Sequence, residues 1–180
     1  MAGNHAEVQR LHFYSLVLMG FRGITYGANG IWQFNTESKP FGPAPYGAAL
    51  GNTPWRKAYQ FEGSKHVGIA KRFFERFPWW RLESHPEWVT VHADDENPHG
   101  PYAAGIPGEL KILYFPKGLA PWAASRPEIH CEPQVTYRAT FCNPTNGEST
   151  VIDEPAAGDS WRVPMPTVMH DWLLVLEKEN

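Results

Sequence analysis

Apolar positions recur at helical spacing in two stretches of the first half of the chain and at every second position in the second half. Over residues 6–19, Val8, Leu11, Leu16, Val17 and Met19 fall near helical spacing ahead of Gly20 and Gly23, which predicts a helix ending around Met19. Residues 64–77 predict a second helix. Ser64 is placed to cap it, Val67, Ile69, Ala70, Phe73, Phe74 and Phe77 line one broad face, and Pro78 stops it. Between the two, Ile24–Tyr26 reads as a short buried strand. Residues 35–55 carry Pro40, Pro43, Pro45 and Pro54 with no period and predict a long loop.

After Trp79 and Trp80 the period changes to two. Val89, Val91 and Ala93, then Leu110, Ile112 and Tyr114, then Val135, Tyr137, Ala139 and Phe141 alternate with polar or outward positions and predict strands. Asn143–Gly147 is a turn by its residue chemistry, and residues 160–163 and 172–176 predict two further strands. Short antiparallel strands between turns imply a small β-sandwich of roughly 90 residues.

Charge divides the chain at the same place. Residues 1–85 hold ten Lys or Arg, five Glu, no Asp and sixteen of the twenty-five aromatics, whereas 86–180 hold six basic and fourteen acidic residues. The net charge of −3 provides no footprint for nucleic acid or an anionic membrane surface. No run reaches the ~20 apolar residues of a membrane span, and residues 1–10 lack the order of a signal peptide. The compartment stays open, and a secreted parent protein is compatible with the sequence. Cys131 and Cys142 flank a predicted strand too long for a disulfide to close, so two free thiols are expected.

The strongest local signal is Gly20-Phe-Arg-Gly-Ile-Thr-Tyr-Gly-Ala-Asn-Gly-Ile-Trp-Gln33, a short strand opening into a glycine-rich, aromatic loop behind a helix. In (β/α) barrels, residues at the C-terminal end of a strand face the active site. Thr25, Tyr26, Asn29 and Trp32 are therefore candidate sugar contacts, through hydroxyl and amide hydrogen bonds and aromatic stacking. Core filling by Tyr26 and Trp32 explains the aromatics equally well.

The runs RGITYGANGIWQ (22–33) and FEGSKHVGIAKRFFERFPWWRLE (61–83) and the ending DWLLVLE (171–177) resemble the apiosidase-like glycoside hydrolases. The resemblance spans nearly the whole chain. It implies that Gly23, Thr25, Tyr26, Gly27 and Trp32 belong to the last barrel strand and its loop, and that Trp79 and Trp80 lead into a β domain of the collagen-binding type. Tyr114, Pro116 and Gly118, then Asn143, Pro144 and Gly147, then Asp171 and Trp172 match the motifs of that domain. Ile24 stands where the family motif has histidine, so a hydrogen bond from that position is lost here.

A glycosidase of this kind works with two carboxylates, which the resemblance places on barrel strands upstream of this one. The acids of the first half fit other roles. Glu7 and Glu75 fall on helix surfaces, and Glu62 sits by a helix N-terminus where an acidic group favours the dipole. Only Glu37, after Trp32, could reach an active site. One βα unit cannot close a barrel of about 250 residues.

The expected fold is thus α+β. Residues 1–85 form the terminal βα portion of an incomplete (β/α)8 barrel, and 86–180 form a small antiparallel β-sandwich accessory domain. The expected function is that of a C-terminal fragment of a glycoside hydrolase acting on complex polysaccharides. The fragment supplies one wall of the pocket and is inactive alone, with no catalytic residue, cofactor or metal of its own. The alternative is a non-catalytic carbohydrate- or collagen-binding module. The two differ in the apolar helix faces: exposed faces point to a missing barrel portion or self-association, whereas a stand-alone module must bury them with the β domain or by self-association. His92, Asp94, Asp95, Glu96 and His99 include metal-type ligands, but at no defined spacing, and an acidic turn explains them.

Overall fold

In the computed structural model, which describes residues 5–42, 51–117, 126–168 and 170–179, two helices lie on one face of a single large sheet. The helices are α1 (His5–Leu18) and α3 (Glu62–Phe74), with the one-turn α2 (Trp55–Ala58) between them. The sheet has six strands in the order β1-β2-β3-β8-β5-β6, every pair antiparallel. They are β1 (Glu83–Ser84), β2 (Tyr102–Ile106), β3 (Leu110–Phe115), β5 (Tyr137–Cys142), β6 (Ser149–Val151) and β8 (Trp172–Lys178). A two-stranded sheet of β4 (Glu128–His130) and β7 (Ser160–Arg162) stands on the opposite face. The expected mixture of helices and antiparallel sheet is present. Among the described residues no helix is long and apolar enough to cross a membrane.

Both faces of the central strands are covered, so β3 and β8 carry apolar side chains at adjacent positions, with Lys111 buried among them. In β3 and β8, Ile112, Tyr114, Leu173 and Val175 join Tyr14, Leu18, Ala70, Phe73 and Phe74 of the helices in one core cluster. Leu113, Phe115, Leu174 and Leu176 point the other way and pack with Ile129 and Trp161 of the small sheet. The register Ile112↔Val175 and Leu113↔Leu174 keeps each face continuous across the strands. Burying side chains of this size stabilises by about 1.5–3 kcal/mol each.

The helix faces expected to lie open are therefore largely roofed by this sheet. Along α1 the buried positions are Ala6, Arg10, Tyr14 and Leu18, a four-residue repeat, together with Ser15, while Val8 and, just past the helix, Met19 are exposed. The second helix starts two residues earlier than expected. Ser64 is not its cap; Phe61 precedes the first turn, with no side-chain cap, and Glu62 occupies the first turn beside the helix dipole.

Three expectations fail locally. Ile24–Tyr26 is neither a strand nor fully buried, and its backbone pairs with no neighbouring strand among the described residues. Val89–Ala93 makes only an isolated bridge, Val89↔Ile129. Val91 adopts a left-handed φ of 62°, and the Asp94 carboxylate takes the N–H groups of Glu96 and Asn97 into a turn that competes with strand pairing. Third, β2 replaces the missing strand, although Tyr-Ala-Ala-Gly-Ile carries no alternation. Gly105 is required there, since a Cβ would stand 2.0 Å from the Leu110 carbonyl oxygen and 2.7 Å from the Trp88 ring.

Both cysteines are free and buried. The Asn143–Gly147 turn forms as its chemistry predicts. Gly147 donates its N–H to the Asn143 carbonyl at 2.8 Å and takes φ 83°. Gly118, one residue of the motif at the end of β3, lies outside the described residues.

Candidate functional site

The loop after Tyr26 is held by its own backbone. Ile31 and Trp32 donate to the Ala28 carbonyl at 3.0 and 3.1 Å, and Asn35 donates to Gly30 at 2.9 Å. Trp55 N–H reaches the Asn35 carbonyl at 2.8 Å and ties the loop to α2. Gly30 turns at φ 91° with its Cα so close to Thr53 that a Cβ would stand 2.1 Å from the carbonyl oxygen, so only glycine fits. Buried Gln33 accepts the Gly30 N–H through Oε1 at 3.3 Å.

On this braced loop the four expected contacts occupy different surroundings. Trp32 is 72% exposed, its ring lying against Gly27. Thr25 is exposed, and Tyr26 is half-buried with its hydroxyl near Gly63 in the first turn of α3. Burial raises the Tyr26 pKa above the usual tyrosine value. The amide of Asn29 lies against Gly51, and its Oδ1 is buried with no hydrogen-bond partner among the described residues. No hydrogen bond or ring contact joins the four to one another among the described residues.

Beside Trp32 is an aromatic group that the residue pattern did not single out. Phe34, at a left-handed φ of 51°, stacks on Trp55 with ring centres 5.4 Å apart and planes 11° from parallel. Tyr59 tilts against Trp55 at 6.2 Å, and Arg56 lies over the Trp55 ring at 5.6 Å. Phe34 and Tyr59 are both more than half exposed. Their signal in the sequence was aromatic density within a loop, which carries no period.

The acids of the first half are placed elsewhere. Glu7 pairs with Lys117 at 3.1 Å, Glu75 with Lys71, and Glu62 with His66 at 3.6 Å. Glu37 is exposed on the turn closed by Thr36 and Lys39. Among the described residues no group of three or more His, Cys, Asp or Glu is gathered to hold a metal ion.

Behind the loop, a buried polar network fixes the helices to the sheet. Arg10 of α1 donates to both oxygens of Asp171, at 2.6 and 2.7 Å. Tyr114 of β3 donates to Asp171 at 3.0 Å, and His66 of α3 meets Arg10 at 3.0 Å through Nδ1. Burial works against the Arg10 charge, but the hydrogen bonds and charge of Asp171 outweigh it and raise its pKa. Burial first, then the neighbouring Asp171 carboxylate, push the Tyr114 phenol far above its ordinary value. The network is turned inward and anchors the helices to the sheet. Asp171 was legible as a motif residue; Arg10 was not singled out by the residue pattern.

Residues 2–81 match the family model described as apiosidase-like, catalytic domain. The apiosidase-like match thus covers both long helices and the entire loop. Among solved structures, one described as a glycoside hydrolase aligns with a TM-score of 0.74 and 18% identity over 96% of this chain and 36% of its own. A glycoside hydrolase family 5 protein from Bacteroides vulgatus aligns with a TM-score of 0.71 and 17% identity, again over 96% and 36%. At these identities the likeness concerns the fold. The chain shares its fold with these proteins and spans 36% of the length of the solved structures it matches. No curated protein matches it.

Proposed function

We propose that this chain is the C-terminal part of an apiosidase-like glycoside hydrolase, in which the Thr25–Asn35 loop forms one wall of the substrate cleft. The barrel-derived segment is residues 1–85, and residues 86–180 form the accessory β domain, a sandwich of the collagen-binding type. The observation that carries this reading is Trp32, exposed on a backbone-braced loop within the stretch matched by the catalytic-domain model. A large indole left in water at a fixed position is a platform for the apolar face of a sugar ring. Asn29 and Tyr26 supply amide and hydroxyl groups for sugar hydroxyls, and Thr25 a second hydroxyl. The catalytic carboxylate pair belongs to other strands of the complete barrel, and the role of this wall is to orient the glycan.

The test is Trp32→Ala in the longer parent enzyme, assayed on plant cell-wall polysaccharides by release of reducing ends. A platform that binds ground state and transition state alike predicts a KM raised about tenfold with kcat within about twofold. An unchanged KM would remove Trp32 from the substrate wall.

A further inference from the structure

A cavity of about 180 Å³ lies between α3 and the turn that joins β5 to β6, away from the Trp32 loop. Tyr14, Phe73, Leu173 and Cys142 line it from the core, and Arg72 and Arg76 line it from α3 and the residues just past it. The lining contains no acidic residue.

Of its polar side chains, Arg72, Arg76 and Tyr14 can donate into it, while Asn143 and Asn146 are held within their own turn by hydrogen bonds to Thr145 and Glu148. Tyr14 is fully buried, and its hydroxyl has no hydrogen-bond partner among the described residues. Such an orphan is rare in a well-packed core. Its neighbour Tyr114, stacked on it with ring centres 5.0 Å apart, has its own hydroxyl engaged by Asp171. Burial, then the Asp171 charge, hold the Tyr14 phenol far above its ordinary pKa, so it stays a donor at all working pH values. Neither Arg72 nor Arg76 forms an ion pair among the described residues, and the adjacent Glu75 is taken by Lys71. Arg76 is steadied by the Phe73 and Phe77 rings, at 5.7 and 5.2 Å.

We infer that this cavity binds a small organic carboxylate, with Arg72, Arg76 and the Tyr14 hydroxyl as donors and Phe73 and Leu173 against its apolar body. The inference is independent of the glycosidase reading, since it uses neither the loop nor any catalytic group. Two guanidinium groups without counter-charge favour an oxyanion, and the aromatic and aliphatic lining favours one with a compact carbon skeleton over a fully hydrated inorganic ion.

Titrating benzoate, benzamide and inorganic phosphate into the full chain by calorimetry tests this. Benzoate binds, and its neutral isostere benzamide and phosphate each bind at least about tenfold more weakly, as loss of charge-assisted hydrogen bonds or of apolar contact requires. Arg76→Gln and Tyr14→Phe each weaken benzoate several-fold while the thermal unfolding transition stays cooperative. In a Cys131→Ser background, saturating benzoate slows labelling of Cys142 by methyl methanethiosulfonate. Benzamide or phosphate binding as tightly as benzoate, or benzoate binding unchanged by both substitutions, would overturn the proposal. So would no benzoate binding up to about 10 mM.

Discussion

Arg10 and Asp171 stand 161 positions apart in sequence and meet in the core through two charge-assisted hydrogen bonds of 2.6 and 2.7 Å. The pair joins the first helix to the start of the central strand β8, with side chains that are 6% and 0% exposed. Removing one partner strands a buried charge. Arg10→Met or Asp171→Asn is expected to cost about 3–5 kcal/mol in urea unfolding. The double variant Arg10→Met/Asp171→Leu should recover much of that loss, because no charge is then left alone in the interior.

The two stacked tyrosines next to that pair separate a satisfied hydroxyl from an orphan one. Tyr114→Phe deletes a hydrogen bond to a carboxylate and should destabilise by about 1.5–3 kcal/mol. Tyr14→Phe removes a buried hydroxyl with no partner among the described residues and should leave stability unchanged or raise it slightly. Equilibrium unfolding of both variants side by side checks the contrast.

The β half was legible where its strands sit centrally. Leu110–Tyr114 and Trp172–Leu176 are mostly apolar, as a sheet covered on both faces requires, Val135–Phe141 alternates apolar with polar positions, and β3, β5 and β8 follow these stretches closely. Edge elements were not legible. β1, β4 and β6 are two or three residues long and borrow their pairing from neighbours, and β2 is built of small residues because Trp88 presses on Gly105. Tyr14 and Arg10 were missed for another reason. The apolar pattern of α1 runs all round the helix, so spacing alone did not show which side faces the sheet. Of the loop site, Trp32 was visible as an aromatic in a glycine-rich stretch. The Phe34–Trp55 stack depends on residues twenty-one apart, folded together by the bond from Trp55 to the Asn35 carbonyl.

His66 makes stability depend on mildly acidic pH. Burial, then the Arg10 charge, lower its pKa below the ordinary 6.5 despite Glu62 nearby. The fold therefore favours the neutral ring. The stability this contributes is complete above about pH 6.5 and is lost as pH falls below it through the lowered folded pKa. The wild type should lose stability between pH 7.5 and 5, and His66→Gln should show a shallower loss, measured as the urea midpoint against pH.

Glu132 acts in a more acidic window. Burial opposes its charge, but hydrogen bonds from Tyr137 and Lys111 and the Lys111 charge hold its pKa below the ordinary 4.5. Lys111 is itself buried, 3.0 Å from Glu132 and 3.6 Å above the Trp88 ring. A depressed carboxylate stabilises above its unfolded pKa, and that contribution disappears as pH falls through the folded value. Glu132→Gln should flatten the stability profile between about pH 4.5 and 3 while lowering stability at pH 7.

As proposed above, this chain is a substrate-orienting wall whose catalytic carboxylates lie on other barrel strands. The most direct measurement compares polysaccharide hydrolysis by the 180-residue chain with hydrolysis by the protein translated from the full upstream reading frame, at equal molar concentration. The account predicts no activity from the chain alone and clear release of reducing ends by the longer protein, abolished when its two barrel carboxylates are replaced by amides. Hydrolysis by the chain alone, or none by the longer protein on any cell-wall glycan, would contradict it.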